Sequence, residues 1–330
     1  MDRDPVGSVQ AGHWRSFNIS HTGLILKLVV LAFVAISLAY LGISWFVADR
    51  LTRPERYPPA ATPGTLGLAY EPVEFESTED ELTLRGWWMQ PPDSDRAVIL
   101  VHGRNSNRSG TDPKQGTDGS LLDQAKGLVD RGYSVLTFDL RGHGQSDGVR
   151  YSLGPLERRD VLGAIAYVRN RGIPTTRIGL LCHSMGAATC LLAAGEEPDL
   201  AGVVADSSYA RLTDLLAVEL PKASGLPGFF NPGILLMGKM IYGFDPTQAA
   251  PIELVSNIKP AILFIHSESD SIISAEHSRR LWSASGQKRG TLWTVNGPKH
   301  NRIFESDPNQ YIERVLGFFD RAMEEGHTGK

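Results

Sequence analysis

Hydrophobic and polar positions divide the chain into three regimes. Residues 28–48 are 21 in number and carry no charge. As a helix they would span about 32 Å, against roughly 30 Å of bilayer hydrocarbon, which is long enough to cross. Residues 53–69 follow with Pro54, Pro58, Pro59 and Pro63, a spacing that predicts an extended, solvated connector. From Tyr70 onward the pattern is that of a folded domain. Residues 71–77 and 81–90 alternate and are joined by the polar Thr78-Glu79-Asp80 turn, predicting an antiparallel hairpin. Short apolar runs at 97–101, 133–138, 177–181, 202–205, 261–265 and 292–295 predict central strands. Helix-period segments lie between them, at 121–130, 155–171, 185–194, 275–284 and 309–323. Such alternation predicts an α/β domain, a mostly parallel central sheet with helices on both faces. At about 210–258 the rhythm is broken by an insertion too long for an ordinary loop, and it predicts a small helical lid.

The expected organisation is therefore a tail at 1–23, one transmembrane helix at 24–48, a Pro-rich linker at 49–69 and the α/β domain at 70–330. Lys27 can snorkel at one boundary of the span, and Tyr40 and Trp45 lie toward the other, where aromatic side chains favour the interface. A buried core helix would show a polar face. A cleaved signal peptide would have a shorter apolar region and a clearer small-x-small site than Gly42-Ile43-Ser44. The retained single-pass anchor is preferred. Arg3, Arg15 and Lys27 before the span are matched by Arg50, Arg53 and Arg56 after it, so basic residues leave the side of the domain open.

A formal net charge of -4 with scattered basic residues offers no footprint for a polyanion, and nucleic acid is not an expected partner. The two cysteines, Cys182 at a strand end and Cys190 in the following helix, are expected to point in different directions and remain free thiols. Neither their spacing nor the histidines around them suggest a metal site.

Candidate chemistry centres on Ile178-Gly179-Leu180-Leu181-Cys182-His183-Ser184-Met185-Gly186-Ala187-Ala188. It reads as a nucleophile elbow, a strained strand-to-helix turn that exposes a serine hydroxyl. Cys182 stands where the G-x-S-x-G pattern has its first glycine. Further motifs follow other strands: Val101-His102-Gly103-Arg104, Asp139-Leu140-Arg141-Gly142-His143-Gly144-Gln145-Ser146, Ile265-His266-Ser267-Glu268-Ser269-Asp270 and Gly297-Pro298-Lys299-His300-Asn301. Together they resemble the α/β-hydrolase fold of the serine-aminopeptidase-like group, from Tyr70 to the C-terminus, with Ser267 where similar proteins commonly have glycine.

Ser184 is the expected nucleophile and His300 its base, in the chain order Ser, Asp, His that this fold uses. The family's acid aligns on Asp270, which would orient the imidazole. Asp206 is the second choice, and Glu268 also lies near. The amide of Met185 heads the elbow helix and is an expected oxyanion donor; the resemblance supplies Arg104 as the other. His102, His143, His183 and His266 are read as scaffold or pocket-wall residues. His13, His21, His277 and His327 are read as exposed.

The implied activity is that of a membrane-anchored serine hydrolase, carboxylesterase or lipase-like, needing no cofactor. The apolar segment 229–242 of the lid would line an acyl pocket or simply pack the lid, and with the anchor it motivates a small-molecule or lipid ester as substrate. A peptidase or amidase is the alternative enzyme. A membrane-tethered binding protein that lost activity is the alternative from another class, resting on Cys182.

Overall fold

A computed structural model describes residues 21–114, 116, 120–286 and 290–328. The chain divides into two compact units between Ile43 and Ser44. Helix α1, His21–Leu51, is long and apolar enough to cross a membrane. His13 and the other residues of 1–20 lie outside the described residues, as do the side chains of His21 and His327.

In the larger unit eight strands form one sheet: β1 Glu71–Glu76, β2 Thr83–Met89, β3 Ala97–Val101, β4 Ser134–Phe138, β5 Ile178–His183, β6 Gly202–Asp206, β7 Ala261–Ser267 and β8 Gly290–Val295. Their order is β1-β2-β4-β3-β5-β6-β7-β8. β1 and β2 form the expected hairpin, β2 runs antiparallel to β4, and all other pairings are parallel. The helices are α2 Ser120–Val129, α3 Glu157–Asn170, α4 Met185–Ala194, α5 Leu212–Ser224, α6 Asn231–Tyr242, α7 Pro251–Leu254, α8 Glu276–Ala284, α9 Ile303–Ser306 and α10 Pro308–Thr328.

Strand periodicity sorts the core onto the two faces of the sheet. Ala97, Ile99 and Val101 of β3 meet Val161, Ala164 and Ile165 of α3 and Ala187 and Leu191 of α4. Val98 and Leu100, between them in sequence, meet Leu121 and Ala125 of α2 and Tyr311, Val315 and Phe319 of α10. The insertion between β6 and β7 holds α5, α6 and α7 together with short 3₁₀ turns.

Two expectations change. Cys182 and Cys190 are not free thiols, because they form a disulfide with their Cα atoms 6.5 Å apart. Cys182 shares the strand face of Ile178 and Leu180, and α4 doubles back across that same face with Cys190 turned inward. The Pro-rich segment after α1 lacks regular structure up to a 3₁₀ turn at Pro63–Leu66, but it is not a free connector. The amide of Glu55 donates to Asn105 Oδ1 (3.4 Å), that of Ala60 to Thr111 Oγ1 (3.2 Å), and Asn107 Nδ2 donates to the Tyr57 carbonyl (3.0 Å). Loops at the sheet edge supply these polar partners.

Candidate active site

Every parallel strand delivers its following loop to the same sheet edge, where an α/β sheet leaves a crevice for ligands. At the end of β5, Ser184 has φ 54° and ψ −117°, a conformation that costs a residue with a Cβ about 1–3 kcal/mol. Main-chain bonds hold it there. Its amide donates to the carbonyl of Asp206 (2.8 Å), and its carbonyl accepts from the amide of Ala188 (3.2 Å).

Close backbone approach explains the small residues around the elbow. A Cβ at Gly186 would lie 2.5 Å from the carbonyl oxygen of His102 and 2.8 Å from that of Val101. One at Gly103 would lie 3.2 Å from Ser184 Cβ. No comparable demand falls on position 182, so the departure there leaves the turn intact and the cysteine is used to tie β5 to α4.

Ser184 Oγ lies 2.8 Å from His300 Nε2, although 116 residues separate them. His300 Nδ1 lies 2.6 Å from Asp270 Oδ2. Asp270 Oδ1 accepts the amides of Ile272 and Ile273, both at 2.9 Å, and His266 Nε2 approaches Oδ2 at 3.3 Å. Burial pushes the Asp270 carboxyl up, but hydrogen bonds from His266 and His300, the charge of His300 and the Ile273 amide outweigh it and hold the group well below the usual carboxylate range. An ionised Asp270 takes the Nδ1 proton of His300 as a hydrogen bond and leaves Nε2 facing the serine as an acceptor. Ser267 also finds a use, since its hydroxyl donates to the carbonyl of Pro298 and braces the loop that carries His300.

Asp206 is turned elsewhere. Its Oδ2 accepts from Tyr311 Oη (2.9 Å) and lies 3.6 Å from His183 Nδ1, and its Oδ1 accepts from Ser207 Oγ (2.9 Å). His183 Nε2 meets Gln124 Oε1 at 2.9 Å. Glu268 pairs with Arg279 at the surface.

The other motif histidines work on the loops. His102 Nδ1 donates to the Gly103 carbonyl (2.7 Å), so Nε2 accepts the amide of Leu140 (3.0 Å). His143 Nδ1 donates to the Arg141 carbonyl (2.9 Å), and Nε2 accepts the amide of Asn105 (3.2 Å). Burial lowers both pKa values, that of His143 to about 3, which keeps each ring neutral and able to accept. His143 thus secures the residue next to Arg104. The sequence reading of His143 and His266 as scaffold or pocket-wall residues did not identify what each would hold: the amide of Asn105 for His143 and, at i,i+4 spacing, Asp270 for His266. His277, expected to be exposed, is half-buried and accepts the amide of Ala210 (3.1 Å).

A cavity of about 510 Å³ opens on these groups and includes Ser184, His300, Met185 and Arg104 in its wall, a volume usual for small-molecule sites. Toward the lid its wall is largely aliphatic, with Leu153, Leu212, Leu215, Leu216, Ile272 and Ile273, and Glu219 and Lys222 of α5 add charge to it. Toward α2 it is polar, with Asn105, Ser120 and Gln124. Among the described residues no group of histidine, cysteine and acidic side chains is arranged to hold a metal ion.

Residues 92–227 match the family described as serine aminopeptidase, S33. The uncharacterized protein YqkD of Bacillus subtilis is 28% identical over 245 residues, covering 72% of this chain and 75% of that protein. The alpha/beta hydrolase domain-containing protein WAV2 of Arabidopsis thaliana is 22% identical over 303 residues, 90% of this chain and 93% of its own. Among solved structures, the Pyrococcus furiosus esterase Pf2001 superposes with a TM-score of 0.67 at 25% identity, covering 82% of this chain and 99% of the esterase.

Proposed function

We propose that this chain, with its α/β-hydrolase fold and its match to the serine aminopeptidase family over residues 92–227, is a membrane-anchored serine hydrolase cleaving a carboxylic ester with an apolar acyl part. The observation that carries this reading is the hydrogen-bonded series Asp270–His300–Ser184, set at a strained elbow and opening on a cavity whose wall toward the lid is largely aliphatic. The resemblance to an esterase supports the ester over other acyl groups.

In this mechanism Ser184 Oγ attacks the ester carbonyl carbon while His300 Nε2 takes the hydroxyl proton. Ionised Asp270 stabilises the imidazolium. The amides of Met185 and Arg104 donate to the oxyanion, with Met185 at the first turn of α4, where unpaired N–H groups favour negative charge. Collapse breaks the ester C–O bond, and the Nε2 proton goes to the leaving alkoxide. Water, deprotonated by His300, then cleaves the acyl-enzyme and restores Ser184.

Anchoring rests on α1. The buried Cys182–Cys190 disulfide supports a location of the domain on the oxidising side of the membrane, where such bonds persist. Protease added outside intact cells then digests the domain; protection would reverse the assignment.

The deciding experiment is labelling of the full-length protein with a fluorophosphonate probe, alone and as Ser184→Ala. Labelling of the parent and none of the variant is expected. An unlabelled parent would overturn the enzyme reading. Faster hydrolysis of amino-acyl arylamides than of p-nitrophenyl esters would replace the esterase by the peptidase.

A further inference from the structure

The last two turns of α1 belong to the larger unit and carry a stripe that faces protein. Ser44 and Ala48 are fully buried and Val47 and Leu51 half-buried. Ala48 packs with Leu220 of α5 and Ile234 of α6, and Val47, Leu51, Leu235, Met237 and Tyr242 close round them. Polar contacts fasten the same junction. Asp49 accepts from Tyr242 Oη (2.8 Å) and pairs with Arg150, whose guanidinium lies 3.6 Å from the Tyr242 ring centroid. The lid is thus built onto the end of the helix that leads out of the apolar run.

The outer face of α6 is mostly apolar, with Lys239 at its edge paired to Asp245. Its inner side is formed by Gly233, Ile234 and Gly238, whereas Pro232, Leu236 and Met240, at i,i+4 spacing, face outward. Met240 is 71% exposed, Phe229 just before the helix 66% and Ile241 51%. On the helix end itself Trp45 and Phe46 are exposed, and Arg50 follows one turn on. A cluster of large apolar side chains on the surface of a unit this well packed needs an occupant.

We infer that this lid face, Phe229, Leu236, Met240 and Ile241, docks into the lipid interface beside the helix exit, and that its occupant is the bilayer itself. The inference rests on the reading of α1 as a membrane anchor. If the apolar run ends at Ala48, Ser44 lies about 6 Å back along the helix, inside the hydrocarbon boundary. A lid packed against Ala48 and Val47 then cannot stand clear of the headgroups. Trp45, at the same level, is the residue type that favours that depth.

Docking gives the lid's interior a purpose. A small apolar cavity of about 50 Å³ lies between Ala48, Leu51, Leu220, Ile234 and Phe244. It shares Arg104, Leu153, Leu216, Glu219 and Ala223 with the wall of the cavity that holds Ser184. An acyl chain withdrawn from the interface meets Leu216, Leu153 and Ala223 between the helix end and the serine, with Arg104 and Glu219 at the junction of the two cavities.

The test uses the full-length protein in phosphatidylcholine vesicles doped with nitroxide-labelled lipid. Cysteines introduced one at a time by Met240→Cys, Phe33→Cys and Glu313→Cys are labelled with an environment-sensitive fluorophore; both native cysteines are held in the buried disulfide. Quenching at positions 240 and 33 but not 313 is expected. Quenching at 33 without 240 overturns docking while the anchor stands, and absence of quenching at 33 removes the anchor and docking together. Equal quenching at 313 also overturns the proposal, since the lid face would not be distinguished from the rest of the domain. In a second arm, the pair Leu236→Glu and Met240→Glu should leave turnover of a soluble short-chain ester unchanged. It should slow hydrolysis of a long-chain ester held in the vesicles about tenfold or more, as apolar area leaves the interface. Equal slowing of both substrates, or of neither, counts against docking.

Discussion

Two histidine–aspartate pairs flank Ser184, and they differ in almost every respect that matters for chemistry. His183 is the serine's neighbour in sequence, yet its ring turns to Gln124 and Asp206, with 3.6 Å between imidazole and carboxylate. His300 comes from a loop after the last strand, and it alone meets the serine hydroxyl, with 2.6 Å to its own carboxylate. The first pair ties β5, β6, α2 and α10 through Gln124 and Tyr311. The second faces the cavity. Side-chain direction explains the difference: His183 turns from the end of β5 toward Gln124 and Asp206, whereas the loops after β7 and β8 bring Asp270 and His300 to the serine hydroxyl.

The largest expected effect separates the pairs by activity. Asp270→Asn should lower kcat/KM for p-nitrophenyl butyrate by about 10⁴-fold, the scale of losing the group that sets the histidine's tautomer. Asp206→Asn should lower it by less than about tenfold, since its carboxylate does not meet the reacting groups. The opposite ranking would make Asp206 the acid.

Stability should order the pairs the other way. Asp206→Asn disturbs a fully buried acceptor of Tyr311 and Ser207 and should cost about 1–3 kcal/mol in urea denaturation. His183→Ala should resemble it, with fluorophosphonate labelling retained. A third change acts on β5, which carries His183 and leads into Ser184. Replacing Cys182 and Cys190 together by serine opens a loop whose ends are eight residues apart and should cost roughly 2–3 kcal/mol by the loop-entropy relation. Unfolding midpoints with and without reductant check it.

The smallest effect is in pH. Both carboxylates are depressed in the folded protein: burial raises each, but at Asp206 the hydrogen bonds from His183, Ser207 and Tyr311 prevail, and at Asp270 those from His266 and His300. A depressed group contributes stability that is present above the unfolded value of about 3.9 and is lost as pH falls from there toward the folded value. Unfolding midpoints of Asp206→Asn and Asp270→Asn should therefore fall less steeply than those of the parent below about pH 4. Parallel curves would mean that neither carboxylate is preferentially charged in the folded state.

Much of this was legible because short-range pattern and long-range placement agree. The apolar runs became β3 to β7, buried on both faces, and the half-buried edge strand β8, and the loops after them became the site because parallel strands end on one edge. Ser184, Asp270 and His300 were found by motif and chain order, and they meet. What pattern could not supply was side-chain direction across elements. The cysteines misled because the return of α4 over β5 is a tertiary event. His143 in its loop and His266 near the end of β7 carry no mark in the sequence of their partners, an amide and a carboxylate. The Pro-rich segment hid its attachment for the same reason, since an extended chain and a strapped one share a composition.

The glycine contacts at the elbow have a consequence for how sequences of this fold change over time. Because Gly186 rests on the carbonyls of Val101 and His102, and Gly103 on the serine's own Cβ, the spacing between Ser184 and the chain at 101–103 is set by one main chain lying on another. It is independent of the lid's side chains. The lid is then a replaceable module: its apolar lining can drift toward longer, shorter or bulkier acyl groups while the reacting atoms keep their positions, so that substrate range evolves without retuning the chemistry.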